Sequence, residues 1–314
     1  MLGQERTTLL VDGRYVTQAK REVKGLKVFE YRDKIEGIVA IILDDGAKNI
    51  GFEAQAISYD TYARLKDSLK GIELKPISDE IGAIRAIKDE REIALLRRAA
   101  EISSRALISV RDIIKPGLRE MDLAIDLEFK MRRSGATQLS FATIVASGIN
   151  TTLPHATPSN RKIENGDIVV IDYGAVYNGY HSDETCTFVV GQANDRKKEV
   201  YRLVKEAHDR AVDALRAGVP CSEIDRVART CIEEGGLGAY FPHGTGHGVG
   251  LDVHEAPQIA AKSKGVLEAG MVVTIEPGVY IPDLWGIRIE DTVLVEEDGC
   301  EILTKTAKDF RILT

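Results

Sequence analysis

The sequence has 314 residues, of which 44% are hydrophobic and 29% are charged, and its formal net charge is −7. This composition is typical of a folded protein with one large domain or two ordinary ones, and it excludes a globally basic surface for nucleic acid. The longest apolar run, from Ile38 to Leu43, is too short to cross a membrane, and the first residues lack the pattern of a signal peptide.

Residues 1–78 are predicted to form a small α/β domain. Runs rich in β-forming residues, from Thr8 to Val11 and from Gly37 to Leu43, predict short strands. Asp12-Gly13 predicts a turn directly after the first run. The segment from Ile57 to Leu69 predicts a helix, because its apolar residues recur on one helical face.

Residues 79–314 are predicted to form a second, larger domain that contains an internal repeat. Apolar residues at helical spacing predict one or two long amphipathic helices that end at Lys115-Pro116-Gly117, and a further helix from Arg119 to Arg133. Later in the chain, predicted helices from Lys197 to Ala217 and from Ser222 to Glu234 repeat this pattern. Because each helix pair leads into β-rich sequence, we predict a duplicated helix–helix–strand unit in one α+β domain.

Two aspartates lie on a predicted β-hairpin. The runs from Ile168 to Val176 and from Tyr180 to Val190 flank Asn178-Gly179, a dipeptide typical of tight hairpin turns. In the register that this turn sets, Asp172 and Asp183 are diagonal neighbours on one face, roughly 7–8 Å apart. Carboxylates at that separation are able to share two metal ions about 3.5–4 Å apart. Solvated acids at a hairpin edge are the alternative.

Two glutamates lie in later β-rich runs. Glu276 ends the run from Met271 to Glu276, and Glu290 lies in the run from Gly286 to Val295, where isoleucines alternate with charged residues. The period of two puts Arg288 and Glu290 on the same strand face. For either glutamate alone, a salt-bridged or exposed strand face is the alternative.

The histidines cluster in the second half of the chain. Three of the six fall within twelve residues and have glycine neighbours, namely His243, His247 and His254. Glycine permits close backbone approach around a site. His155 follows a proline in a polar, turn-rich segment. The other two have weaker claims: His208 is predicted on a helix surface, and His181 is predicted only to line a site near Asp183.

Together these motifs resemble the pita-bread metallopeptidases, and within them the proline-specific branch of Xaa-Pro aminopeptidases and Xaa-Pro dipeptidases (prolidases). The resemblance covers about residues 80–314 and rests on Asp172 with Asp183, His243-Gly-Thr-Gly-His247-Gly-Val-Gly-Leu-Asp-Val-His254-Glu, Thr274-Ile-Glu276-Pro-Gly and Gly286-Ile-Arg-Ile-Glu290-Asp. Val11-Asp12-Gly13-Arg14-Tyr15 resembles a motif near the end of that branch's N-terminal domain. The implied architecture is a pita-bread catalytic domain with a curved antiparallel sheet (79–314) after a small α/β domain (1–78).

The resemblance also implies a dinuclear metal site. The residues that match the family's metal ligands are Asp172, Asp183, His247, Glu276 and Glu290. The matches to Asp183 and Glu290 span both ions in the family. Four carboxylates with one imidazole suit two divalent cations, with Mn²⁺ or Co²⁺ expected and Fe²⁺ or Zn²⁺ as alternatives.

The catalytic roles are carried over in the same way. The two cations are implied to activate a water for attack on the carbonyl of the Xaa–Pro bond. Glu276 is the implied general base, His254 stabilises the oxyanion, and His155 hydrogen-bonds the substrate near the scissile bond. Substrate-binding positions are implied for His243, Arg288 and Tyr280.

The implied function is hydrolysis of the Xaa–Pro bond in dipeptides or at the N-terminus of peptides with proline in second position. We expect a cytoplasmic homodimer with no nucleic-acid or membrane partner. Two alternatives are kept: an aminopeptidase of another specificity, such as the methionine type, and a non-catalytic peptide- or protein-binding member of the fold.

Two further expectations concern the N-terminal domain and the cysteines. Because little sequence precedes residues 11–15, we interpret the N-terminal domain as shortened. No Cys-x-x-Cys pair is present, so free and mostly buried thiols without a role as zinc ligands are predicted, as in a reducing cytosol. The thiols concerned are Cys186, Cys221, Cys231 and Cys300.

Overall fold

The computed structural model describes residues 1–3 and 6–314, and it divides into two compact units, Met1–Ile81 and Gly82–Thr314. The first unit contains, in chain order, β1 (Thr8–Asp12), α1 (Val16–Glu22), β2 (Lys27–Tyr31), α2 (Lys34–Asp45), β3 (Asn49–Phe52), α3 (Tyr59–Ser68), β4 (Glu73–Pro76) and the start of α4 (Ser78–Ala86). Strand β1 pairs in parallel with β2, and β3 pairs in parallel with β4. The predicted strand at Thr8, the turn after it and the helix within residues 57–69 are therefore confirmed.

The strand predicted from Gly37 to Leu43 is wrong, because these residues lie within α2. The side chain of Asp33 caps this helix by accepting hydrogen bonds from two backbone N–H groups, and Gly46 ends it in the left-handed conformation, with φ of 65°. Ile35 and Ile42 face a buried cluster on one side of the helix. The caps and the amphipathic face outweigh the weak β preference of branched residues.

The second unit contains the catalytic-domain motifs. After α4 its helices and strands follow the order α5 (Glu90–Val110), α6 (Glu120–Arg133), β5 (Gln138–Leu139), β6 (Ile144–Ser147), β7 (Ile168–Tyr173), β8 (Ala175–Tyr177), β9 (Tyr180–His181), β10 (Glu184–Val190), α7 (Asp195–Ala214), α8 (Cys221–Glu234), β11 (Gly246–Gly248), β12 (Glu255–Ile259), β13 (Val272–Ile275), β14 (Gly278–Ile281), β15 (Trp285–Arg288), β16 (Asp291–Val295), β17 (Cys300–Ile302) and β18 (Ile312–Leu313). Short 3-10 turns lie at Arg111–Ile113, Gly148–Thr152 and Gly238–Tyr240.

The helices and sheets of this unit occur in two related halves. In the first half α5 packs on α6, and strands β18, β10, β7 and β6 form a sheet in that order. In the second half α7 packs on α8, and strands β12, β11, β13, β16 and β17 form another sheet. The predicted duplication of a helix–helix–strand unit in an α+β domain is therefore confirmed.

Strand β7 lies in the middle of the core. Val169 and Ile171 pack in a buried cluster with α5 and α6, whereas Ile168 and Val170 pack in a cluster with α7. Alternate side chains of a strand point to opposite faces of its sheet. Both faces of β7 are therefore covered, which makes Asp172, near its end, a costly residue unless its charge is compensated.

The hairpin register is confirmed. Tyr177 pairs with Tyr180 across the turn, and Asp172 pairs with Thr185. Asn178 and Gly179 have φ values of 49° and 88°, the left-handed conformation that such a tight turn requires.

The four cysteines carry free thiols within the described part of the chain, and only Cys300 is not fully buried. His208, predicted on a helix surface, is instead buried at 2% exposure beside Asp209 and Asp291, so that prediction is wrong. Among residues 1–3 and 6–314, no helix is both long and apolar enough to span a membrane.

Candidate metal centre

Both halves of the second unit contribute acidic residues to one site. Asp172 comes from β7, and Asp183 directly precedes β10. His247 lies in β11, Glu276 follows β13 and Glu290 precedes β16. Because Ile275 pairs with Asp291, the two glutamates, each next to one member of this pair, lie at the same end of the β13–β16 ladder.

The side chains of these residues converge. Ligand atoms of Asp183, His247 and Glu290 all lie within 4.8 Å of one another. Nε2 of His247 is 3.3 Å from Oε1 of Glu276 and 3.6 Å from Oδ2 of Asp183. Asp172 is close enough for its charge to act on these residues. Together with burial, it raises the pKa of both Asp183 and Glu290.

The imidazole of His247 is oriented as a neutral ligand. Its Nδ1 lies 3.0 Å from the carbonyl oxygen of Gly248, and because a carbonyl only accepts, the ring proton is on Nδ1. Burial lowers the pKa of His247 to about 4. The unprotonated Nε2 therefore points its lone pair at carboxylate oxygens, an arrangement that a cation between these atoms stabilises.

The carboxylates destabilise one another's charged forms. Burial raises the pKa of Asp183 well above its ordinary value, and the charges of Glu290 and Asp172 add to the effect. Burial likewise raises the pKa of Glu290, with contributions from Glu276 and Asp172. The pKa of Glu276 rises to about 7, chiefly through burial. Such mutual repulsion is relieved by bound cations.

These residues fit a pair of divalent cations. Oδ1 of Asp172 is buried and, within the described residues, accepts no hydrogen bond. A buried polar atom of this kind calls for a partner such as an ion or water. Four carboxylates balance the charge of two divalent cations, and a donor set dominated by oxygen with one imidazole suits Mn²⁺, Co²⁺, Fe²⁺ or Zn²⁺.

Arg288 is buried directly behind Asp172. Its NH2 group donates to Oδ2 of Asp172, and its NH1 group donates to the hydroxyl of Tyr280 at 2.7 Å. Further donors reach the hydroxyl of Thr185 and the carbonyl of Pro154. With its donors engaged in this way, Arg288 orients Asp172.

A chain of hydrogen bonds connects Arg288 to His243. The Tyr280 hydroxyl accepts from Arg288, so its own proton is free to donate to Nε2 of His243, 3.1 Å away. Nδ1 of His243 donates to the carbonyl of Gly244, and burial lowers the pKa of this histidine to about 4. His243 and Tyr280 thus form a rigid, neutral wall of the site.

The other two predicted site histidines are exposed. The ring centroid of His254 lies 4.3 Å from that of His247, so its imidazole lies beside this candidate ligand. His155 follows Pro154, whose carbonyl accepts from Arg288. The side chains of both histidines are exposed to solvent.

Buried carboxylates hold the two histidine-bearing segments. Glu120, at the start of α6, accepts hydrogen bonds from Ser147 and Ser159, which flank the segment carrying His155. Asp225, on α8, accepts from the N–H and hydroxyl of Thr245, between His243 and His247. In each half, therefore, a buried carboxylate on a helix holds the histidine-bearing segment by accepting hydrogen bonds from it.

Two threonines next to the ligands were not identified from the sequence. The hydroxyl of Thr185 donates to Oε2 of Glu290 at 2.6 Å. The hydroxyl of Thr274 donates to Oε1 of Glu276 at 3.2 Å and accepts from the N–H of His247. The sequence could have indicated both threonines. Alternate residues of a strand share a face, which puts Thr274 beside Glu276, and the hairpin register places Thr185 directly across from Asp172.

Family comparisons agree with this geometry. Residues 94–297 match the metallopeptidase family M24, and residues 1–87 match the creatinase/prolidase N-terminal domain. Residues 11–15 thus lie early in the N-terminal match, so the expectation that their motif comes near the end of that domain is wrong.

Individual relatives are similar over nearly the whole chain. The Xaa-Pro dipeptidase of Pyrococcus furiosus is 43% identical, over 98% of this chain and 86% of its own length. Among solved structures, the Xaa-Pro dipeptidase from Bacillus anthracis superposes with a TM-score of 0.95 at 41% identity, over 99% of this chain and 88% of that one. The X-Pro aminopeptidase from Thermotoga maritima gives 0.93 at 38% identity, over 99% and 86%. With its pita-bread second unit and these matches, the chain belongs to metallopeptidase family M24.

Proposed function

We propose that this protein hydrolyses the Xaa–Pro peptide bond with two divalent metal ions bound in the second unit. The observation that carries the proposal is the convergence of buried carboxylates around the neutral imidazole of His247, together with an oxygen of Asp172 that has no partner among residues 1–3 and 6–314. The proposed ligands are Asp172, Asp183, His247, Glu276 and Glu290. The names of similar proteins, which are Xaa-Pro dipeptidases and an X-Pro aminopeptidase, support the proline specificity.

The protein groups around the ligands orient them. Arg288 donates to Oδ2 of Asp172, whereas the buried Oδ1 accepts no hydrogen bond from the described residues. Thr185 fixes one oxygen of Glu290, and Thr274 fixes one oxygen of Glu276. Such outer hydrogen bonds set ligand orientation and typically change metal affinity or activity by about 10–100-fold when removed.

The chemistry requires a proton acceptor and an oxyanion donor. Held by these five ligands, divalent cations would supply an activated water and would polarise the substrate carbonyl. Glu276 takes the proton of the attacking water and delivers it to the proline nitrogen as the peptide bond breaks. His254, exposed beside His247, donates a hydrogen bond to the developing oxyanion. His155 hydrogen-bonds the substrate near the scissile bond.

The pocket wall is proposed to select the residue after the scissile bond. His243 and Tyr280 are hydrogen-bonded to one another, and the ring of Phe241 packs edge-on against His243 at 5.1 Å. A wall of neutral rings suits the apolar pyrrolidine of proline. Arg288 supports this wall from behind through Tyr280.

The finer assignments are proposed on the same basis. We propose Mn²⁺ or Co²⁺ as the working metals, a homodimer as the working assembly and the cytoplasm as its location. We also propose that residues 1–78 form an N-terminal domain and residues 79–314 the catalytic domain. The division into compact units after Ile81 supports this boundary.

A three-peptide assay tests the function. The protein is stripped with chelator, reloaded with Mn²⁺ or Co²⁺, and incubated with Ala-Pro, Ala-Pro-Ala and Met-Ala-Ala. We expect metal-dependent cleavage of the proline peptides only. Cleavage of Ala-Pro without Ala-Pro-Ala identifies a dipeptidase, and cleavage of Ala-Pro-Ala identifies an aminopeptidase. Cleavage of Met-Ala-Ala alone, or of no peptide by fully loaded protein, would contradict the proposal.

A further inference from the structure

A second cluster of buried charges lies in the same unit as the metal centre, around the ammonium group of Lys308. Its Nζ contacts Oε1 of Glu184 and lies 3.1 Å from Oδ1 of Asp291. The side chains of all three residues are at most 5% exposed. A lysine is rarely buried to this extent, and here its charge is paired with two carboxylates.

The two carboxylates have a specific relationship to the proposed metal ligands. Glu184 directly follows Asp183, and Asp291 directly follows Glu290. Consecutive residues in an extended chain point to opposite sides. Asp183 and Glu290 converge with His247 at the metal centre. Their neighbours converge on Lys308.

Further polar groups contact Glu184 and Asp291. The second oxygen of Glu184 accepts a hydrogen bond from Ser104 of α5 at 2.7 Å. Asp291 accepts from the hydroxyl of Thr304, and its other oxygen lies 3.1 Å from Nε2 of His208. Helices from both halves therefore surround the lysine and its two partners.

Lys308 belongs to a segment that crosses between the two sheets. Leu303 donates its N–H to Thr292 in β16 of the second half. Further along, Ile312 of β18 pairs with Val189 in β10 of the first half. Between these points the carbonyl of Lys308 accepts a hydrogen bond from Tyr201 of α7, which holds the backbone in place.

We propose that Lys308 is a positioning residue that sets the separation of Asp183 and Glu290 by clamping the residues that follow them in the chain. This inference rests on the proposed metal centre. A buried ion pair by itself contributes little to stability, because desolvation offsets the attraction. The role proposed for this ion pair is geometric. One ammonium group contacts the strand that follows Asp183 and the strand that follows Glu290, and these two strands belong to different halves.

Loss of the Lys308 ammonium group would leave the negative charges of Glu184 and Asp291 without their shared partner. Without the ammonium group, Glu184 and Asp291 repel one another, and the strand ends carrying Asp183 and Glu290 separate. Metal sites tolerate little displacement, and removal of an orienting group typically weakens metal binding by about 10–100-fold. Lys308 does not touch the proposed substrate pocket, so the substrate KM is expected to remain unchanged while kcat falls.

The test compares Lys308→Met with Lys305→Met, an exposed lysine on the same segment. Mn²⁺ binding is measured by titration calorimetry, and kcat and KM are measured with Ala-Pro or Ala-Pro-Ala, whichever the wild type cleaves. We expect K308M to bind Mn²⁺ about 10–100-fold more weakly with lower kcat, and K305M to match the wild type. Wild-type affinity and kcat in folded K308M would overturn the inference. Absence of Mn²⁺ binding by the wild type would instead overturn the proposed metal centre.

A paired variant decides the matter if K308M does not fold. Replacing Glu184 by Gln together with Lys308 by Met removes one of the two carboxylate charges that lose the ammonium group, while Asp291 keeps its contacts with Thr304 and His208. If the lysine only neutralises Glu184, this double variant recovers wild-type Mn²⁺ affinity, and the inference is wrong. If it positions the ligands, affinity stays roughly tenfold or more below wild type, because the ammonium bridge between Glu184 and Asp291 is then absent.

Discussion

Asp172 and Thr185 lie directly opposite one another in the β7–β10 ladder, and the hydroxyl of Thr185 reaches across to Glu290 of the other half. The backbone continues the connection, because the N–H of Glu290 donates to the carbonyl of Thr185 at 3.2 Å. Thr185 therefore joins the two halves of the second unit at the proposed metal centre.

Replacing Thr185 by Val is expected to weaken metal binding. The substitution keeps the shape of the side chain but removes the hydrogen bond that orients Glu290, so Mn²⁺ affinity should fall by about 10–100-fold. Thr187→Val is the matched control, since that buried hydroxyl of the same strand donates to the backbone carbonyl of Arg288. Calorimetric titration of both variants checks this, and equal affinities would contradict the orienting role of Thr185.

Replacing Asp183 by Ala is expected to remove about two metal ions per chain and to abolish peptide cleavage, because a spanning ligand orients both ions. Metal analysis after gel filtration measures the first effect. In the wild type, free Mn²⁺ at one hundred times Kd should stabilise the fold by roughly 2.7 kcal/mol per site and raise Tm by about 5–10 °C. D183A should lack this rise. Full metal content in the variant would refute its assignment as a ligand.

Replacing His254 by Ala is expected to separate metal binding from catalysis. The imidazole lies beside His247 but is exposed, so metal content should be retained. Loss of an oxyanion donor typically lowers turnover by roughly 10²–10³-fold. Steady-state kinetics with the preferred proline peptide checks this, and an unchanged kcat would remove His254 from the mechanism.

The stability of the fold is expected to depend on the protonation of His208. Burial lowers the pKa of this histidine, but Asp209 and Asp291 outweigh burial and raise it above the ordinary value. The charged form is favoured in the folded state, so its contribution is complete below the unfolded pKa of about 6.5 and is lost as pH rises through the folded pKa. Urea unfolding from about pH 6 to about pH 9 should show a steeper decline in the wild type than in His208→Gln. Parallel pH profiles would contradict this.

Much of the second unit was predictable from local pattern. The Asn178-Gly179 turn and the period of two in the flanking strands were sufficient to pair Asp172 with Thr185, because hairpin register is set locally. The paired helices were visible from their apolar spacing and from the glycine and proline residues that end them. The candidate ligands were identified from the order and spacing of the motifs.

Two of the predictions that failed concern residues whose structure is set by helix-capping residues or by a contact with a residue far along the chain. Gly37–Leu43 looked like a strand because its residues are branched, but Asp33 and Gly46 cap it as a helix. His208 looked like a surface residue because its helix is highly charged. It is buried nevertheless, because Asp291, far along the chain, lies beside its ring and compensates for the loss of solvent.

The sequence by itself determined the candidate ligands, the hairpin register and the family of this protein, because these depend on local spacing and residue chemistry. Only the tertiary structure decided that Arg288 orients Asp172, that Thr185 reaches Glu290 and that Lys308 joins Glu184 to Asp291. Apart from the Lys308–Asp291 pair, each of these contacts connects residues more than about a hundred positions apart. Their partners are selected by how the two halves pack, which no local pattern records.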